Sequence, residues 1–275
     1  MGVLELIRPT ARVRSNPVLR TVAKLCRQYL RWFGNSSYRA EKNGERWLLQ
    51  ALAREKIFTV IDVGANVGKW SLLAVERFPE ATVLALEIVP ATAAELRVRV
   101  QGRERIRPFD LGLADQSGTL TIRYNPAVSA HSTLTDYPYT WKGEKIECPV
   151  IRGDEFLARE RIQHVDFLKI DVEGAEHLVL RGLEVSLREG RIRFVQFEYG
   201  PRNILTRFLL KDFYELFDRH GYVVGKIYPD YVEIRDYQLV DEDFLGSNYL
   251  ACRADDPLRT RLSEPDKLGS GAAHF

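Results

Sequence analysis

An α/β fold, with a mostly parallel sheet covered by helices on both faces, is what this sequence predicts. Three observations carry the prediction. From residue 59 onward, short β-rich runs alternate with helical stretches, which is the rhythm of βαβ units. The first run passes into a turn bearing two glycines, FTVIDVGANVGKW (58–70). Several of the strands end on an acidic residue, on the rim where parallel sheets bind their ligands.

The elements follow in order. VLRTVAKLCRQYLRWF (18–33) spaces Val18, Val22, Leu25/Cys26, Tyr29 and Phe33 as one helical face, with Arg20, Lys24, Arg27 and Arg31 interleaved. The simpler expectation is a helix capping the main domain with its arginines solvated. The sharper one is a basic helix for a membrane surface or a protein partner. A second helix is expected over 40–54, with Trp47, Leu48 and Leu52 inward. Strand 59–63 precedes helix 68–78, and strand 82–87 precedes helix 90–101. The run RIRPFDLGLA (105–114) leads through Asp115-Gln116-Ser117-Gly118 into TLTIRY (119–124). After a loop-rich stretch come IECPVI (146–151), strand 166–172, helix 175–187, strand 193–199, helix 205–221 and two late strands, 222–228 and 248–253. The chain thus divides into a basic helical extension (1–55), an α/β domain (56–254) and a tail (255–275) whose polar, small-residue composition predicts disorder.

Bulk properties exclude several classes. The net charge of +2 gives no argument for nucleic-acid binding. Residues 1–56 hold 12 Lys/Arg and 4 Asp/Glu, a balance of +8, so the remainder carries −6. Cys26, Cys148 and Cys252 are scattered, with no metal-binding or disulfide spacing. A reducing compartment fits them. No apolar run approaches the ~20 residues that span a bilayer, and the start lacks a secretory pattern. The expected location is the cytoplasm or the face of a membrane. Asn35-Ser36-Ser37 matches a glycosylation sequon, read as chance in this setting.

The turn at 58–70 points to a cofactor. A dinucleotide fingerprint is GxGxxG, with a diphosphate on the helix N-terminus. Here the pattern is Asp62-x-Gly64-x-Asn66-x-Gly68. Asn66 replaces the middle glycine, and the acid would repel a diphosphate but suits an ammonium. Glu87 closes the next strand, where a carboxylate can take both hydroxyls of a ribose. This combination favours S-adenosylmethionine (SAM) over NAD. The candidate cofactor-binding set is Asp62, Gly64, Ala65, Asn66, Gly68, Glu87, Asp110 and Asp171.

The segment LKIDVEGAEHLVLRG (168–182) brings Asp171, Glu173 and Glu176 close together. The helix dipole accounts for Glu176, but not for Asp171 at a strand end. Neighbouring carboxylates repel unless a cation or protons relieve them; a sulfonium, a substrate ammonium, Lys169 or a divalent metal could serve, and the sequence does not choose. Glu198 closes the following strand, beside Tyr199 and Arg202. His177 reads as packing or surface.

IDVGANVGKWS, DFLKIDVEGAEHLVLRG and the later FEY resemble the FkbM-type family of SAM-dependent methyltransferases, over about residues 45–253. The loop SAHSTLTDY (129–137) and VIRGDEFL (150–157) are also similar to that family, with departures at His131 and at Gly153 before Asp154. These departures sit where substrate selection is expected. The resemblance implies a Rossmann-like class I methyltransferase sheet with an antiparallel last strand. It also implies methyl transfer to a hydroxyl of a sugar, glycan or secondary metabolite. Asp171, Glu173 and Glu198 are the candidate catalytic carboxylates, with His131 as a loop-borne base or a solvated loop histidine. Tyr124, Tyr137, Tyr139 and Trp141 either stack on sugar rings or pack a lid. Two rivals are an NAD-dependent sugar-modifying oxidoreductase and a catalytically inactive scaffold that binds partners through its basic N-terminal helix.

Overall fold

The structure is a computed structural model that describes residues 8, 12–124, 144–246 and 248–265. His131, Tyr137, Tyr139 and Trp141 lie outside the described residues.

The strands expected from the alternating runs build one eight-stranded sheet. Its members are β1 (Thr59–Val63), β2 (Thr82–Leu86), β3 (Ile106–Phe109), β7 (Val165–Ile170), β8 (Ile192–Glu198), β9 (Tyr222–Ile227), β10 (Val232–Ile234) and β11 (Asn248–Arg253). The spatial order is β3-β2-β1-β7-β8-β11-β9-β10. Strands β3 to β8 are mutually parallel. The last strand, β11, runs antiparallel between β8 and β9. This is the Rossmann-like class I methyltransferase arrangement. The order reverses between β1 and β7, so the carboxyl ends of those two strands border the crevice where such sheets bind ligands.

Period-2 alternation divides the side chains between two helical layers. Val60, Val83, Phe167, Phe194 and Leu250 pack with helices α2 (Glu45–Leu52), α3 (Lys69–Arg77), α4 (Pro90–Arg99) and α10 (Leu258–Ser263). Ile61, Leu84, Leu168, Val195 and Phe197 pack with α5 (Gly153–Arg159), α6 (Glu176–Gly182), α7 (Glu184–Arg188) and α9 (Leu210–Arg219).

Several expectations change. The run 105–114 does not form one strand. Pro108, which cannot donate to a ladder, stands in the edge strand β3. The chain then turns at Asp110 and Leu111 into β4 (Gly112–Ala114), which joins β5 (Gly118–Tyr124) and β6 (Glu144–Arg152) in a separate three-stranded sheet. The helix foreseen over 205–221 begins only at Leu210, because Arg207 adopts a left-handed conformation after the short helix α8 (Asn203–Thr206). The tail does not start as disorder: α10 buries Leu258 and Leu262 against the α2 layer, and Arg261 binds the Ala51 carbonyl. The helix α1 (Pro17–Phe33) does not cap the domain, since none of its residues is buried. Asn35 is no glycan acceptor in this fold. Its side-chain amide is buried and donates to the carbonyls of Asn43 and Ile227.

Candidate functional site

Strand β1 ends at Val63, and the chain turns at once. Gly64 has φ +81°, and a Cβ there would stand 1.9 Å from the Asp171 carbonyl oxygen. The turns after β1 and β7 therefore touch, and only glycine permits it. The N–H groups of Gly64 and Ala65 both bond to the Leu86 carbonyl, stitching the turn to β2. Asn66 is left-handed at φ 50°, and Gly68, also left-handed, lies tight against Leu96 where α3 begins.

Glu87, just beyond β2, organises this turn. Its carboxylate accepts from the backbone N–H of Asn66 and of Val89, both at 2.9 Å. Burial pushes its pKa up, against the pull of those two amides. Each oxygen retains a lone pair for a further donor. Asp110, beyond β3, is exposed and takes a two-pronged bond from Arg97 at 2.9 and 3.1 Å.

Asp62 departs from the sequence reading. It was expected on the rim, but it is fully buried beneath the turn. Val63 is the last residue of the strand, and Asp62 shares its face with Val60, toward α3. Ser71 of α3 donates to it at 2.6 Å. Lys169 lies at 3.7 Å from it and at 3.0 Å from Asp171. Register explains this. Asp62, Lys169 and Gln196 stand side by side on β1, β7 and β8, forming a buried polar row across an otherwise apolar face. Glu45 of α2 closes the row, accepting from Gln196 at 2.7 Å. Burial alone would lower the Lys169 pKa, but the charges of Asp171, Asp62 and Glu45 outweigh it and raise it. Lys169 is thus a permanent cation, and its ammonium also lies 5.7 Å from the Trp70 ring.

The carboxylates foreseen at the ends of β7 and β8 do meet. Asp171 and Glu198 are hydrogen-bonded to each other. Burial pushes both upward. For Asp171, the Lys169 ammonium and the Glu198 hydrogen bond reverse the shift and hold it below the ordinary range. Glu198 has no such cation and stands well above the ordinary range, raised further by the charges of Asp171 and Glu173. A proton on the pair therefore favours Glu198 over Asp171.

Glu173 sits at φ 58°, an uncommon conformation for a non-glycine residue, and pairs with Arg202. Burial, then the Asp171 charge, push it up to about 8 against the pull of Arg202. Glu176 has a different task. It is buried, accepts from the N–H groups of Val172 and Gly174 at 3.1 Å, and so shapes the loop that holds Glu173. His177 stacks on Phe208 at 5.0 Å, as packing.

Gly153, read as a departure where substrate selection is expected, serves the fold, as does Asp154 after it. A Cβ on Gly153 would meet Leu183 at 2.5 Å. The Asp154 carboxylate accepts from the N–H groups of Val185 and Ser186 and from the Ser186 hydroxyl, capping α7. Among the described residues, no group of three or more His, Cys, Asp or Glu side chains is placed to hold a metal ion. The sequence reading missed Ser71, Gln196 and Glu45 as members of the site's foundation. The Lys169-x-Asp171 spacing, two residues apart on a strand, was the available signal for the row.

Comparison with known proteins identifies the family. The chain is 32% identical over 153 residues to the 31-O-demethyl-FK506 methyltransferase FkbM of Streptomyces tacrolimicus, covering 46% of this chain and 59% of that protein. It is 28% identical over 173 residues to the hexuronic acid methyltransferase AglP of Haloferax volcanii, covering 60% and 66% respectively. The chain thus spans less than two thirds of these curated relatives. A crystal structure of methyltransferase FkbM from Methylobacillus flagellatus KT superposes at TM-score 0.43 and 16% identity, covering 72% of this chain and 44% of that one. A family model, the methyltransferase FkbM domain, matches residues 62–224, and the chain belongs to that family.

Proposed function

We propose that the protein transfers the methyl group of SAM to a hydroxyl oxygen of a sugar, glycan or secondary metabolite. The observation that carries this reading is the cluster of Asp171, Glu173 and Glu198 at the carboxyl ends of β7 and β8, held by Lys169 and Arg202 beside the switch point between β1 and β7.

The residues present fit SAM. Glu87 has free lone pairs for a ribose diol, and Asp110 lies beyond the neighbouring strand. The fit to a dinucleotide is worse. The Asn66 amide that a diphosphate would need is already bonded to Glu87. SAM supplies a methyl group on a sulfonium, an electrophile that needs no activation by the protein.

The chain's own residues orient the acceptor and receive its proton. Asp171, pinned by Lys169 yet with its side chain 39% exposed, accepts a hydrogen bond from the acceptor hydroxyl. Glu173 would take the hydroxyl proton as the acceptor oxygen gains the methyl group, whose bond to sulfur breaks to leave neutral S-adenosylhomocysteine. Its pKa near 8 makes it a base matched to neutral or mildly alkaline conditions, and Arg202 stabilises its ionised form. Glu198, whose pKa burial and the charges of Asp171 and Glu173 raise, resists adding a further charge to the cluster. The names of two relatives, acting on demethyl-FK506 and on hexuronic acid, support an acceptor rich in hydroxyls.

The test is titration calorimetry with SAM, its demethylated product S-adenosylhomocysteine and NADH, followed by mass spectrometry of a panel of glycosides incubated with SAM. Binding of both sulfur ligands and a methyl ether product are expected. Tight NADH binding without SAM binding would overturn the reading.

A further inference from the structure

Helix α1 offers a second functional surface. Asn16 caps it, accepting from the N–H groups of Val18 and Leu19, and Pro17 opens it. The caps make a well-defined helix, yet it buries nothing. Val18, Val22, Leu25, Tyr29, Trp32 and Phe33 fall within one side at 100° per residue, and all six are exposed, Leu25 at 65%, Trp32 at 74% and Phe33 at 71%. Arg20, Lys24, Arg27 and Arg31 fall together on the opposite side, and Pro17–Phe33 contains no acidic residue. An apolar stripe left in water is unfavourable, so something covers it.

We infer that α1 docks in the plane of an anionic lipid bilayer, with its apolar stripe in the headgroup–acyl boundary. Charge complementarity selects this occupant. Residues 1–56 carry +8 while the remainder carries −6, so an anionic surface attracts the extension and repels the body. Tryptophan and tyrosine on the stripe are the side chains that favour the membrane interface. A cationic side opposite an aromatic and aliphatic side is the pattern of helices that lie on bilayers. Among the described residues, no helix is long and apolar enough to cross a membrane.

The tether gives the docking a direction. Asn35 bonds to the carbonyl of Ile227, the last residue of β9. The Tyr38 hydroxyl packs against Gly200, just past β8, and Gly246, just ahead of the antiparallel β11. All three points lie on the carboxyl rim that also carries Asp171 and Glu198. A docked α1 therefore holds the candidate crevice beside the bilayer, and on the methyl-transfer reading this brings acceptors at the membrane surface within reach.

The experiment is co-sedimentation of the full chain with phosphatidylcholine vesicles and with vesicles in which one third of the lipid is phosphatidylglycerol. No cofactor or acceptor is added, so failure here is distinct from failure of methyl transfer. Expected is binding about tenfold or more stronger on the anionic vesicles, weakened by salt. Val22→Glu with Leu25→Glu should abolish it. Arg20→Gln, Lys24→Gln, Arg27→Gln and Arg31→Gln combined should remove the preference for anionic lipid. Neither set should change the melting temperature, because α1 buries nothing in the domain. The inference is overturned if the native chain fails to sediment with anionic vesicles or if the double glutamate variant binds undiminished. It is also overturned if the native chain is a dimer in solution that the glutamates disperse, since a second copy then covers the stripe.

Discussion

Replacing Lys169 by methionine removes the cation of the buried row and leaves its acids in place. Asp62 and Asp171 then feel each other's charge without the ammonium that lies 3.7 and 3.0 Å from them. Removing one partner of a buried ion pair costs ~3–5 kcal/mol. Asp171 is 39% exposed and rehydrates, so the cost falls mainly on Asp62. The expectation is therefore the lower end, about 3 kcal/mol at pH 7.5, or a fall in melting temperature of roughly 6–12 °C for a chain of this size. The sign of the pH dependence follows from Asp62. Its folded pKa, already raised by burial, rises further without the lysine. A carboxyl whose folded pKa exceeds its unfolded one costs stability as pH climbs past the unfolded value, and the cost disappears as pH falls back toward it. The deficit of Lys169→Met against the native chain should thus shrink by half or more at pH 5. Adding Asp62→Asn should recover most of it at pH 7.5, since an amide still accepts from Ser71. Urea denaturation at the two pH values decides. An equal deficit at both, or no rescue by Asp62→Asn, would refute the assignment of Lys169 as the neutralising charge.

Other outcomes follow from the same geometry. Glu87→Ala should weaken S-adenosylhomocysteine binding by about 1.5–3 kcal/mol, the scale of bonds to a charged group; unchanged affinity in calorimetry removes Glu87 from the cofactor site. Methyl transfer should rise as pH climbs through about 8, where Glu173 loses its proton. Glu173→Gln should be slow and flat across that range, and a variant that keeps the native profile assigns the base elsewhere. Gly64→Ala forces a Cβ to within 1.9 Å of the Asp171 carbonyl at a positive φ. A loss of about 1–3 kcal/mol in thermal unfolding is expected; a native melt would mean the β1–β7 contact yields freely.

The parallel core was legible because each buried strand is a short apolar run bounded by turn residues, and the glycine turn marked its first βα junction. The acids at 87, 171 and 198 were legible because they directly end or follow strands. Asp62 was misread in its direction, not its place: β1 spans 59–63 as expected, so Asp62 is its penultimate residue and alternation turns it toward α3 rather than onto the rim. No local pattern shows that, because the partner that neutralises it stands more than a hundred residues away on β7. The first residues of the tail were misread from composition, although two leucines four apart, Leu258 and Leu262, are enough to seat a short helix against the α2 layer. The periodicity of α1 was plain in the sequence. That its stripe is covered by no other described residue was not, because amphipathicity states that a face must be covered and not by what.

The buried row also explains why KIDVEGAE is a more informative signature than the glycine turn. In the turn, Gly64 and Gly68 meet steric demands that many βα junctions share. In 169–176, nearly every residue has a different obligation. Lys169 neutralises Asp62 and Asp171. Asp171 faces the crevice and binds Glu198. Glu173 holds a left-handed conformation opposite Arg202. Gly174, at φ +99°, packs 3.1 Å by its missing Cβ from the Arg202 side chain. Glu176 turns back to bind the amides of Val172 and Gly174. The loop that aims Glu173 is thus built from within, by Glu176, while its charge is set from beneath, by Lys169. Changing one residue alters either the position of Glu173 or the charge around it. For that reason Glu176→Gln, which keeps an acceptor for both amides, should leave the loop and the alkaline rise in rate intact. Glu176→Ala should lose both, and an unaltered pH profile in the alanine variant would show that Glu173 is held by Arg202 alone.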